Sequence, residues 1–258
     1  MTPFREALER DRRLGRLPDA GVAEWRYIRR TRHDVDQPLV FEYEGPGDLL
    51  HWIADRFDRL DDTALSGAVS RSFWRAEPSY IPQRDELLAR SASSHELLLS
   101  RLGASYGPDL YHPQDVYNVQ DFHYCTTIGT GIRTVVDYGA GYGRQSFLYG
   151  TVLDGARYVC VDAIEQPYMV QRWVFEQLGL ARWDYVDDAE ESFRRAFDER
   201  SGAFHVPSWR LDLLPDASVD LVLFVWSLYE MSGAAAADRK STRLNSSHGY
   251  QSRMPSSA

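Results

Sequence analysis

Ten consecutive residues, Thr134-Val135-Val136-Asp137-Tyr138-Gly139-Ala140-Gly141-Tyr142-Gly143, constrain this chain more than any other feature. An apolar run rich in β-branched residues delivers a carboxylate, and glycine then recurs at alternate positions. Such a loop lets the backbone turn tightly and come within contact distance of a ligand, so a side chain at Gly139 or Gly141 is expected to occupy ligand space. A purely structural turn is the competing reading of the loop taken alone.

From Arg133 onward, short apolar runs alternate with amphipathic stretches, the pattern of a parallel sheet with crossover helices. Strands are expected at Thr134–Asp137, Tyr158–Val161 and Leu221–Val225, with a short one around Phe204–Val206 before Pro207. Helices are expected from about Gly143 and over Gln166–Leu178, the latter closed by Gly179. The acidic stretch Asp184–Glu199 reads as a loop and helix insertion. Four strands are therefore expected before the chain changes character near residue 239.

The residues before this region read as helices joined by turns: Phe4 to Leu17, Leu49 to Leu60 with Asp48 as its cap, and Pro82 or Asp85 to Leu102 ended by Gly103. Leu87-Leu88 and Leu97-Leu98-Leu99 form the expected buried stripe of the third, and Trp25, Trp52 and Trp74 are assigned to the core of this segment. The expected organisation is a helical lid or cap over 1–110, an α/β domain over 111–238 and a disordered tail over 239–258. That tail, RKSTRLNSSHGYQSRMPSSA, is Ser-rich and aperiodic. It resembles a translated sequencing adapter, which would make it an artefact and the sheet C-terminally truncated. A natural disordered tail is the alternative. An interrupted sheet would leave Leu221–Val225 as an open edge prone to self-association.

The site chemistry rests on spacing. Arg144 stands where the third glycine of a dinucleotide fingerprint belongs, and an acid lies two residues before the first glycine, which favours S-adenosylmethionine over NAD. Asp162 ends the second apolar strand nineteen positions after Gly143. There a carboxylate can take both ribose hydroxyls of an adenosine cofactor, unless it merely caps the following turn. Asp220, at the start of the last strand, reads as structural.

Residues 133–231 resemble the class I S-adenosylmethionine-dependent methyltransferases, and within that class the sugar O-methyltransferases. The matches are Asp137 to Gly143, Val161-Asp162-Ala163-Ile164-Glu165-Gln166-Pro167, Pro207-Ser208-Trp209-Arg210-Leu211-Asp212-Leu213-Leu214-Pro215, and Ser227-Leu228-Tyr229-Glu230-Met231. The resemblance implies a Rossmann-like sheet preceded by a helical segment and S-adenosylmethionine as cofactor. It implies a cofactor site of Asp137, Gly139, Ala140, Gly141, Gly143, Asp162 and Ala163, with Asp212 meeting the adenine amine and Leu213 covering the ring. The class fold has seven strands, so the later loops that carry substrate residues are missing from this reading.

Methyl transfer asks the protein to align the acceptor and to take its proton. Glu230, just past the fourth expected strand, is the candidate for acceptor positioning or base work, with helix capping as the alternative; Ser227 and Tyr229 are weaker candidates. Tyr111-His112, Tyr117-Asn118, Gln120 and Phe122-His123-Tyr124 form a polar aromatic cluster suited to a sugar ring, or else to gluing the lid to the domain. His123 is the base candidate outside the sheet. A nicotinamide-dependent oxidoreductase and an inactive cofactor-binding fragment are the other readings carried forward.

Composition narrows the partners. The 29 Lys and Arg against 38 Asp and Glu give a net charge of −9, a poor footprint for nucleic acid. No apolar run approaches the roughly 20 residues that cross a bilayer. No secretory leader is readable, so the expected address is cytoplasmic. Cys125 and Cys160 lie outside any metal-ligand spacing, and no metal is expected. The expected partner is a small hydroxylated molecule.

Overall fold

The computed structural model describes residues 1–17, 43–53, 58–59, 81–104, 110–111, 113–128, 131–153, 155–225 and 227. Two two-residue strands, β1 (Asp58–Arg59) and β2 (Leu110–Tyr111), pair antiparallel. The next five, β3 (Thr134–Tyr138), β4 (Arg157–Asp162), β5 (Ala181–Asp184), β6 (Gly202–Pro207) and β7 (Leu221–Leu223), form one parallel sheet in the order β5-β6-β4-β3-β7. Parallel strands need long crossovers, and here helices supply them. The result is a Rossmann-like α/β fold with both sheet faces covered.

Side chains alternate between the two faces. On one face Val135, Tyr158, Cys160, Ala203 and Leu221 pack against α3 (Arg84–Arg101), α4 (Pro113–Ile128), α5 (Ser146–Tyr149) and α6 (Glu165–Gln177). On the other, Val136, Val159, Phe204, Val206 and Val222 meet Ala7 of α1 (Pro3–Arg13) and Phe193, Ala196 and Phe197 of α7 (Phe193–Glu199). A strand buried on both faces has no polar side, which is why β4 reads Tyr-Val-Cys-Val without alternation. The remaining helix, α2 (Leu50–Ile53), continues a 3-10 turn over Pro46–Leu49.

Local chemistry sets the helix ends. Thr2 caps α1, its hydroxyl accepting from the Arg5 N–H, and Pro3 occupies the first turn, where a missing N–H costs nothing. Gly103 follows α3 with φ +70°, the left-handed turn expected there. The stripe on α3 is narrower than expected, because Leu87, Leu88, Leu98 and Leu99 are buried while Leu97 is exposed.

Four expectations need correction. Among the described residues the sheet has five strands, because β5, unforeseen, runs up to Asp184 where the stretch read as an insertion begins; α7 is the helix in that stretch. The expected helix over Leu49–Leu60 gives way to β1, which pairs with β2, and Asp48 lies inside the 3-10 turn, accepting from the Glu44 N–H at 3.1 Å. The segment after Gly143 runs as turns to Gln145, and α5 holds only four residues. The last strand ends at Leu223. Trp25, Trp74, the side chain of Trp52 and the tail over 239–258 lie outside the described residues.

Candidate functional site

The loop leaving β3 emerges at the carboxyl edge of the sheet, where the chain order reverses: β4 lies on one side of β3 and β7 on the other. Open α/β sheets bind ligands at such a switch point. Gly139, Gly141 and Gly143 have φ of +70°, +63° and +79°. The Gly139 N–H donates to the Val161 carbonyl at 2.8 Å, stitching the loop to β4. The expectation for Gly139 changes here: a Cβ at that position would stand 2.5 Å from Ser227 Cβ, and one at Gly143 would stand 3.0 Å from the Phe175 ring. Protein packing, not ligand space, excludes side chains at these two glycines. Ala140 is half-buried against the core.

The loop is held from below by two side chains. Tyr142 points into the core, where its hydroxyl lies 2.9 Å from His95 Nε2, while His95 Nδ1 faces Asp115 Oδ2 at 3.2 Å. Ser91 completes this group on Asp115 Oδ1. From α6, the Gln171 amide donates to the Gly141 carbonyl at 2.6 Å and to Asp162 Oδ2 at 3.0 Å.

Asp162, 4% exposed at the end of β4, faces the loop. Its Oδ1 accepts from the N–H groups of Ala163 and Ile164 at 2.8 and 3.1 Å, so it does serve the following turn. Among the described residues its Oδ2 accepts only from Gln171. A carboxylate has about four lone-pair sites, so one on Oδ2 remains for a ligand hydroxyl. Burial pushes Asp162 up to about 7 despite those three donors. Asp137 is equally enclosed. Its Oδ2 accepts from the Tyr158 hydroxyl, its Oδ1 has no partner among the described residues, and burial raises it to about 6 against the pull of Tyr158 and Arg144. Asp121 on α4 is raised by burial to about 6 as well, opposed by the Arg144 charge.

The other expected residues divide. His123 sits half-buried on α4, which carries the cluster from Tyr117 to Tyr124, whereas Tyr111 belongs to β2 and His112 lies outside the described residues; on α4 Phe122, Asn118 and Gln120 are buried and Tyr124 is exposed. Asp212 lies exposed in the 3-10 turn Ser208–Leu213, with Arg210 Nε and a terminal nitrogen at 3.1 and 3.3 Å from its oxygens. Leu213 is half-buried against the second face. Ser227 approaches Gly139, and its Oγ is buried without a partner among the described residues. Asp220 is structural, accepting from the N–H groups of Arg133 and Thr134 at 2.9 Å each. Glu230 and Tyr229 lie outside the described residues.

Sequence reading missed Gln171, His205, His95 and Asp115. The one signal that marked any of them was a polar residue on an apolar surface: His205 between Phe204 and Val206, and Gln171 beside Val170 and Val174. Among the described residues no group of three His, Cys, Asp or Glu could hold a metal ion, and no described helix is long and apolar enough to cross a membrane.

No protein-family profile matches the chain, and no curated protein does. Among solved structures it is similar to that of a candidate O-methyltransferase from Klebsiella pneumoniae, at 14% identity and a TM-score of 0.30. The likeness covers 60% of this chain and 64% of that one, so the chain spans less than two thirds of that structure's length. A likeness this distant carries no argument about activity.

Proposed function

We propose that this chain is the cofactor-binding part of an S-adenosylmethionine-dependent methyltransferase that O-methylates a sugar or another small hydroxylated metabolite. The observation that carries this reading is the charge around the glycine loop. Asp137 and Asp162, with Asp121 behind them, are enclosed carboxyls that burial holds above the ordinary carboxylate range, the Arg144 charge offsetting this only in part at Asp137 and Asp121. A cationic ligand at the loop would favour the ionised form of these carboxyls, and an anionic pyrophosphate beside them would disfavour it.

Helix geometry argues the same way. Dinucleotide sites seat a pyrophosphate on a helix N-terminus, but α5 has four residues and too small a dipole for that task. The nicotinamide reading is therefore disfavoured by this site as well as by Arg144.

S-adenosylmethionine supplies, when bound, a methyl group already activated on a sulfonium. What remains for the protein is to grip, orient and deprotonate. Asp162 Oδ2 has the free lone pair for one ribose hydroxyl, a single contact in place of the bidentate one expected. Asp137 Oδ1 is a buried acceptor suited to an ammonium or a water that solvates one. Asp212 and Leu213 remain the candidates for the adenine. His123 and Glu230 remain the candidates to hold the acceptor hydroxyl and take its proton.

Calorimetric titration with S-adenosylmethionine and with NAD, followed by transfer of a labelled methyl group onto a panel of hydroxylated sugars, tests the proposal. Binding of the sulfonium cofactor and not of NAD is expected. NAD binding alone would overturn the reading, and cofactor binding without turnover on any hydroxylated acceptor would favour a non-catalytic fragment.

A further inference from the structure

Two candidate nucleoside contacts, Asp162 and Asp212, lie just beyond neighbouring strands. β4 and β6 pair in parallel as far as Asp162 and Pro207, where the ladder ends. Beyond it the two chains part, one entering α6 through the turn 162–165 and the other entering the 3-10 turn Ser208–Leu213. Helix α1 lies across that fork. Phe4, 2% exposed, fills the gap: its ring centroid is 4.9 Å from that of Tyr168 on α6 and 5.4 Å from that of Trp209 in the 3-10 turn.

Polar contacts fasten both ends of the helix. At its start the Thr2 hydroxyl donates to Glu165 Oε1 at 2.5 Å, and Arg5 reaches Oε2 with Nε and a terminal nitrogen at 2.7 Å each. Toward its end the buried Asp11 accepts on Oδ2 from Trp209 Nε1 at 2.9 Å and from the Tyr185 hydroxyl at 2.7 Å. An indole N–H is donor-only and lies in the ring plane, so Asp11 sets the direction of Trp209 while Phe4 sets its place. Just past α1, the Arg16 N–H closes on the Asp11 carbonyl at 2.9 Å and its guanidinium reaches Glu190 Oε2 at 2.8 Å. Glu190 in turn holds Arg210 at 2.6 Å, and Arg210 holds Asp212 at 3.1 Å.

We propose that α1 is a strap that positions the nucleoside half of the cofactor site: it holds the turn carrying Asp162 and the turn carrying Asp212 at one separation, with Phe4 and Asp11 as its positioning residues. This rests on the methyl-donor reading above, which gives the ribose to Asp162 and the adenine to Asp212. Both positioning residues act through others, Phe4 through Tyr168 and Trp209, and Asp11 through Trp209. A nucleoside that spans the two turns needs them at a fixed distance, and turns already held there spare the cost of ordering them on binding. The glycine loop is fastened separately, by Tyr142 and Gln171. Loss of the strap should therefore loosen the nucleoside half and spare the loop.

Calorimetry on the full chain, with S-adenosylhomocysteine and with adenosine alone, reads that half of the site. Phe4→Ala should bind both probes about tenfold more weakly, the worth of one hydrogen bond to a charged group. Phe4→Leu refills the gap and should return to within about twofold of the parent. Should Phe4→Ala not fold, Thr2→Val with Arg5→Gln frees the first turn of α1 at positions partly open to solvent, and the same pattern is expected of it. Hydrogen exchange without ligand gives a second readout: amides of 162–165 and 208–213 should quicken together in the strap variants while those of 139–143 keep the parent's rates. Folded variants that bind both probes like the parent, a loss seen with S-adenosylhomocysteine but not with adenosine, or exchange unchanged in either turn would overturn the strap. A folded parent that binds neither probe overturns the methyl-donor reading, and the exchange result then decides the strap alone.

Discussion

Gly139 and Ser227 meet so closely that one added carbon at position 139 would stand 2.5 Å from the serine's own Cβ. They come from opposite sides of the switch point, Gly139 leaving β3 and Ser227 following β7. The contact therefore fixes the width of the crevice between them. Gly139→Ala should destabilise the fold by roughly 2–4 kcal/mol, from left-handed backbone strain plus overpacking. Adding Ser227→Gly should recover the overpacking share and leave the backbone strain. Urea unfolding of both single variants and the pair measures this, and a cost below about 0.5 kcal/mol for Gly139→Ala, or no recovery in the pair, would count against the packed crevice.

Stability should fall as pH rises through neutrality. Asp121, Asp137 and Asp162 are raised to about 6, about 6 and about 7, above the roughly 3.9 of an unfolded aspartate. A raised group contributes stability that is complete below the unfolded value and lost as pH climbs through the folded one. The loss therefore runs from about pH 4 to about pH 7. Asp184 and Glu190 are lowered, so their contribution disappears on the acid side, below the ordinary carboxylate range. A melting temperature lower at pH 8 than at pH 5, by on the order of 5 °C, is expected. Asp162→Asn should flatten the upper part of that slope, and a slope unchanged by it would refute the assignment.

Tyr142→Phe removes the hydrogen bond to the buried His95 and should cost about 1–2 kcal/mol without unfolding the chain. Its more specific effect is on the loop, since Tyr142 is one of the two side chains that hold it. Amide exchange over 139–143 should quicken relative to exchange in β4. Equal protection in both proteins would mean that the loop is held by its backbone and by Gln171 alone.

Arg210 is 3% exposed, lies 2.6 and 3.0 Å from the two Glu190 oxygens, and sits over the Tyr185 ring. Arg210→Met should cost roughly 1–2 kcal/mol, because the buried guanidinium gives up its hydrogen bonds while Glu190 and Asp212, partly exposed, regain water in its place. A double-mutant cycle with Glu190→Gln separates that pair from the rest. Additive effects would assign the loss to packing instead.

What the sequence disclosed follows from how far apart the interacting residues lie. The acid-and-glycine loop, Asp162 nineteen positions on, the helix closed by Gly103 and the strand before Pro207 each have a local signature. The strand β5 has none: Ala181 and Arg182 are exposed at the sheet edge and Trp183 alone is buried, so no apolar run announces it. Helix α4 escaped for the opposite reason, since Asp115, Asn118 and Gln120 are buried beside Val116 and Val119 and blur any amphipathic stripe. His205, Gln171 and Asp162, joined by hydrogen bonds across three elements, take their meaning from those contacts. No spacing within one segment could reveal them.

The first turn of α1 is tied to the first turn of α6. The Thr2 hydroxyl donates to Glu165 Oε1 at 2.5 Å, Arg5 forks onto Oε2 at 2.7 Å, and Phe4 packs between Tyr168 and Trp209. On a ribosome adding roughly 5–20 residues per second, these partners appear on the order of ten seconds or more after α1 has left the exit tunnel. Until then Phe4 and Ala7 have nothing to cover them. Helix α1 is thus made well before the residues that hold it, and loss of Thr2 to Arg5 would be felt beside Asp162, far downstream in the chain.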